Sequence, residues 1–253
     1  GIILANWLIL EAIGSFLVGK SVEKIEKKKE VYVLWQLVFS LALPFAIYLS
    51  RIFKNLLLVT PGEGLGFVPI FYSSFLILLP VSIPHGALFT YGCKIYSKTF
   101  QEDASSIGIV YVLETLGSIA GGLLVTFLLI QYLHSFAIAF IISLTNTLIS
   151  AILLWPELRS TSHGLRKVLW ILSIFLSFIF AYSLLPQNSN AIHQASIRTQ
   201  WKNLSVIHNE NSIYGNITVT KRGEQYTFFT DGVPSITTPV PDIASIEDFV
   251  HFP

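Results

Sequence analysis

Two carboxylates sit where carboxylates are expensive. Glu11 lies in the opening apolar run, and Glu114 is the sole charge in the run from Ile107 to Ile130. Runs of this kind reach the roughly 20 apolar residues that span a bilayer. An acid inside a membrane costs about 2.5–3.5 kcal/mol on insertion scales, so it normally faces protein or water. The two acids open the same pattern: Glu11, Gly14, Ser15 and Gly19 recur as Glu114, Gly117, Ser118 and Gly122. Gly117, Ser118 and Gly121 lie three, four and seven residues after Glu114, so they share its helix face. A face of small residues, with Gly14 in the first copy and Gly117 and Gly121 in the second, lets helix backbones approach closely. Two roles stand open for Glu11 and Glu114: hydrogen-bonding glue between helices, or steps of an ion or amine pathway. His85 directly follows Pro84. It either titrates, since imidazole changes charge near neutral pH, or it satisfies the backbone of a broken helix.

These residues need long apolar helices to hold them. The chain is 53% hydrophobic and 12% charged, with a mean hydropathy of +0.65. A soluble domain carries about 25% charged residues, so a polytopic membrane domain is expected. Spans are read over 1–19, 31–50, 67–95, 107–130, 136–155 and 168–185. Pro80 and Pro84 predict a kink or break in the third, because proline removes a helix hydrogen bond. The recurring Glu-x-x-Gly-Ser pattern, three spans apart, points to an inverted three-helix repeat, an architecture of transporters.

The net charge of +1 says nothing about nucleic acid, and with no basic patch legible no nucleic-acid partner is expected. The single cysteine, Cys93, excludes an internal disulfide. No metal-ligand cluster, nucleophile triad or phosphate loop is legible, so neither a metal nor a catalytic residue is assigned. The chain has no methionine, begins inside an apolar run and stops at Pro253. It is expected to be a fragment of a longer polypeptide. Lys20, Lys24, Lys27, Lys28 and Lys29, then Lys94 and Lys98, then Arg159, Arg166 and Lys167 fall on alternate loops. Arg51 and Lys54 are the cations on the opposite loops. Positive loops stay on the cytoplasmic side, which places everything after the sixth span outside.

After the spans the composition changes. Residues 187–200 read as a linker and 201–253 as a small β region. Ile217 and Val219 alternate with Thr218 and Thr220. Arg222-Gly223 is a hairpin turn into Tyr226–Thr230, and Asp231-Gly232 is a further turn. Tyr214 is read first as strand packing, and Asp231 first as a turn residue.

Ser212-Ile213-Tyr214-Gly215-Asn216-Ile217-Thr218-Val219, then Asp231-Gly232, then Asp242 to Pro253 with His251, resembles the opening of a spermidine-synthase-like domain. The helical part resembles bacterial proteins that fuse several membrane helices to such a domain. The stretches carrying that likeness are Leu4-Ala5-Asn6-Trp7, Glu11 to Ser15, Pro84 to Phe89, and Tyr111 with Leu116-Gly117-Ser118.

The resemblance implies a Rossmann-like catalytic domain beyond Pro253, using decarboxylated S-adenosylmethionine as cosubstrate to transfer an aminopropyl group to a polyamine or another amine. It makes Tyr214, Asp231, Asp242 and His251 the candidate substrate-binding residues, with no cofactor held by the chain itself. It also implies an integral protein of a bacterial inner membrane, a lipid bilayer as partner, a cytosolic tail and a possible homodimer. The cytosolic tail contradicts the loop charges. The family's ligand-binding Gln falls at Gly215, its substrate Tyr at Ile246, the next polar residue at Glu247 and a further Gln at Ser235. Neither isoleucine nor glycine offers a side-chain hydrogen bond. The alternative reading is a transporter or exporter of a small organic cation with a soluble tail.

Overall fold

The computed structural model describes residues 1–100, 103–156 and 164–239, together with Glu247. The chain is mostly helical and ends in a small antiparallel sheet. In order it forms α1 (Ile2–Val22), α2 (Lys28–Leu56), α3 (Phe67–Phe100), α4 (Asp103–Leu124), α5 (Ser135–Leu154), α6 (Gly164–Ser183) and α7 (Pro186–Gln200). Four strands follow: β1 (Ser205–Asn211), β2 (Asn216–Arg222), β3 (Gln225–Thr230) and β4 (Val233–Thr238). Helical structure continues past α4 through a π-helical turn, Val125–Leu129, to Tyr132. The first six helices are long and apolar enough to cross a membrane. This is consistent with a membrane protein.

The third span differs from its expectation. α3 runs unbroken through Pro80 and Pro84. α1 lies along α3 and joins it by direct polar contacts. Asn6, fully buried, donates Nδ2 to the Phe71 carbonyl at 2.9 Å and to Ser74 Oγ at 2.8 Å. Ser15 Oγ donates to the Gly86 carbonyl at 2.9 Å.

The helices beyond α3 are joined by the same small polar devices. Ser143 Oγ on α5 donates to the Ser40 carbonyl of α2 at 2.7 Å. Ser177 on α6 donates to Thr147 on α5 at 2.9 Å. An apolar cluster of Val33, Leu37, Phe136, Phe140, Leu154, Leu169, Leu176 and Phe180 fills the space between α2, α5 and α6. At the start of α2, Glu30 is only 3% exposed and accepts from Arg166 of α6, with Nη2 at 2.6 Å and Nε at 3.1 Å.

The stretch read as a linker, 187–200, is helical. Pro186 sits at its first turn, where the missing N–H costs nothing. Ser189, His193, Ser196 and Ile197 are buried at helical spacing. This face docks on α2: Arg51 Nη1 donates to Ser196 Oγ at 2.9 Å, and Nη2 lies 3.3 Å from His193 Nδ1. His134, the N-cap of α5, stacks on His193 at 4.3 Å.

Burial and the adjacent Arg51 and His134 push the His193 pKa down to about 4. Burial also lowers that of His134. An unfolded histidine titrates near 6.5. The neutral form is therefore favoured in the fold, and its contribution to stability is complete above about 6.5. It is lost as pH falls from there toward about 4. Thermal unfolding of the detergent-solubilised chain should show a falling midpoint across that window, and His193→Gln should flatten the fall. An equally steep fall in the variant would assign the acid sensitivity elsewhere.

The sheet is a simple meander of order β1-β2-β3-β4, all antiparallel. Val219 faces Phe228 and Thr218 faces Phe229 across β2 and β3. Both turn signals are where the sequence puts them: Gly223 and Gly232 have φ of +64° and +80°, which glycine adopts without strain. The sheet is too small for its own core. Ile197 and Trp201 at the end of α7 supply one, with Trp201 meeting Phe229 edge-on at 4.7 Å. The loop after α2 also touches it, Gly62 lying against Phe229.

Candidate functional site

The site begins where α1 crosses α3. Two glycines interlock there: a Cβ on Gly14 would strike the Ile83 carbonyl, and one on Gly86 would strike the Glu11 carbonyl. The sequence pattern Glu-x-x-Gly-Ser on α1 therefore has Pro-His-Gly on α3 as its complement. This closeness brings Glu11 and His85 together, with Nδ1 of the imidazole 3.0 Å from Oε1 of the acid. Trp7, one turn before Glu11, donates its indole N–H to the other carboxylate oxygen at 3.0 Å. Its ring also faces the His85 ring at 5.4 Å. With Nδ1 carrying the proton toward Glu11, Nε2 is free to accept.

Glu114 comes to the other side of the same imidazole. Its Oε1 lies 3.8 Å from His85 Nε2, too long for a direct hydrogen bond. The two acids that share a sequence pattern thus converge on one histidine. Their side chains are 23% and 32% exposed, and that of His85 is 32% exposed. The reading that found no metal-ligand cluster is corrected here: Glu11, His85 and Glu114 can each aim a ligand atom at one ion. The sequence concealed this because the three residues come from three different helices.

A cleft of about 480 Å³ opens beside the cluster. Tyr32, Gln36 and Phe39 of α2 line one side, His85 and Phe89 of α3 another, and Glu114 of α4 and Asn146 of α5 close it. Gln36 is 5% exposed and accepts from Ser150 at 2.8 Å. Phe39 lies 6.1 Å from the His85 ring.

The other sequence candidates do not join this cluster. Gly117 and Gly121 face open space, with no heavy atom within 4 Å of a Cβ placed on either. Among the described residues the main neighbour of α4 is α3, and the second copy of the pattern does not repeat the interlock of the first. Tyr214 is 90% exposed at a turn. Asp231 has φ of +52° and accepts from the Asn216 backbone N–H at 2.8 Å, bracing the β1–β2 turn against the β3–β4 turn. Asp242 and His251 lie outside the described residues.

A six-helix apolar bundle that holds a half-buried Glu–His–Glu cluster and carries a small sheet behind it is the class this architecture defines. The chain is 27% identical to polyamine aminopropyltransferase 2 of Aquifex aeolicus (strain VF5) over 230 residues, 90% of this chain and 42% of that protein. The similarity thus runs through the helices and the sheet alike, while the chain spans less than half the length of that relative. It supports a distant spermidine-synthase-like relation. No family model and no solved structure matches the chain.

Proposed function

We propose that the chain is the membrane-embedded front portion of a spermidine-synthase-like transferase. Such a protein moves an aminopropyl group from decarboxylated S-adenosylmethionine to an amine. The observation that carries this reading is the 27% identity over 90% of the chain. No glycine-rich phosphate-binding unit is found among the described residues. The chemistry is therefore assigned to a polypeptide that carries the rest of the relative's length, with the sheet positioned at its threshold by α7. The test is release of methylthioadenosine from decarboxylated S-adenosylmethionine by membranes holding the longest polypeptide that includes this chain. Putrescine-dependent release is expected. No release with any of a panel of primary amines would overturn the reading.

One observation favours a second reading, passage of a small organic cation through the bundle: the convergence of Glu11, His85 and Glu114 at membrane depth. Under it, Glu11→Gln and Glu114→Gln each abolish flux in sealed vesicles, and unchanged flux in both rules it out.

A further inference from the structure

We infer that the cleft between α2, α3, α4 and α5 is a binding site for a small organic ammonium ion, held between Glu114, the free nitrogen of His85 and aromatic rings. Charge comes first. Two carboxylates flank one imidazole, and no lysine or arginine lines the cleft. With both carboxylates ionised, the cluster places negative charge in surroundings that solvate charge poorly. A cationic occupant removes that cost.

The lining then selects the kind of cation. Tyr32, Phe39 and Phe89 present three aromatic rings to the space, and an ammonium group is attracted to such faces. A divalent metal gains little from them and asks for more donor atoms in its inner shell. Here His85 Nδ1 is already engaged by Glu11, so Nε2 and Glu114, with the Asn146 and Gln36 amides and the Tyr32 hydroxyl, are the polar groups left along the cleft. An ammonium head offers three N–H donors, and it can share them among these acceptors. The 3.8 Å between Nε2 and Glu114 leaves the two acceptors close enough to hold one donor group between them.

Glu11 is a positioning residue in this arrangement. It fixes the imidazole tautomer and is itself fixed by Trp7. The volume of about 480 Å³ suits an alkylamine or diamine. The inference is independent of the transferase reading, and it precedes any transport, since a site must bind before anything passes.

Equilibrium binding of radiolabelled putrescine to the full chain in lipid nanodiscs tests it, with no decarboxylated S-adenosylmethionine and no ion gradient present. Failure here therefore leaves the transferase reading untouched. Saturable binding is expected. Glu114→Gln should weaken it about ten- to hundredfold, the range for a lost hydrogen bond to a charged group. Phe39→Leu should weaken it about two- to fivefold by removing a cation–π face. Thermal unfolding of both variants checks that they fold, and Phe39→Leu stands as the second probe if Glu114→Gln does not. Absence of saturable binding, or full affinity in a folded Glu114→Gln variant, overturns the inference. So does tight zinc binding at the cluster with Phe39→Leu silent toward putrescine, which would make this a metal site.

Discussion

Gly86→Ala will unseat α1 from α3. The added Cβ would lie inside the van der Waals radius of the Glu11 carbonyl and within 3.0 Å of the Ser15 backbone nitrogen. Both obstacles are main chain, so no side-chain rotation relieves the clash. Overpacking a well-filled interior costs about 1–3 kcal/mol when side chains can yield, and here the helices themselves must separate. A loss at or above the top of that range is expected in the thermal or denaturant unfolding of the solubilised chain. Gly14→Ala should behave alike, because its Cβ meets the Ile83 carbonyl. Gly117→Ala supplies the contrast. It occupies the same place in the repeated pattern, but faces open space, and alanine favours a helix over glycine by roughly 0.5–1 kcal/mol. That variant should be neutral or slightly stabilised. Equal losses at Gly86 and Gly117 would mean that α4 packs as α1 does, contrary to the contacts described.

Arg166→Gln should be nearly as damaging, through charge instead of volume. Glu30 is 3% exposed, and Arg166 reaches it with two nitrogens from the start of α6. A buried pair of this kind adds little over an apolar replacement, but removing one partner strands the other. The expected cost is about 3–5 kcal/mol. The double variant Glu30→Gln with Arg166→Gln should recover part of it, since the buried Glu30 charge is then removed with its partner. A loss under about 1 kcal/mol for the single variant would mark the pair as solvated.

The spans were legible because hydropathy and length suffice to mark a membrane helix. The β turns were legible because Gly223 and Gly232 announce positive φ. The two acids were legible as costly residues, and their spacing to Gly14 and Gly117 marked a helix face. What the sequence could not give was the partner of each face. Gly14 and Gly117 stand in the same words, yet one is locked against a carbonyl and the other faces open space. That difference depends on which helix arrives opposite, and a local pattern carries no record of it. His85 was visible only as a neighbour of Pro84, while its place between two acids from α1 and α4 is a tertiary fact. Residues 187–200 were misread because the stretch is polar. Its buried face is built from Ser189, His193 and Ser196, which a hydrophobic periodicity does not register. The signal that could have found it was Pro186 at a helix start.

The cleft has unequal walls. α1 and α3 are locked together by backbone contact at both Gly14 and Gly86, whereas the most apolar stretch of Ser105–Tyr132 has 0% of its residues buried. Glu114 rides on that helix, about three turns before a π-helical turn. A roll of α4 about its long axis would draw Glu114 away from His85 and widen the aperture in one movement, while the Glu11–His85 bond would stay as it is. Field strength and access would then be geared to a single rod.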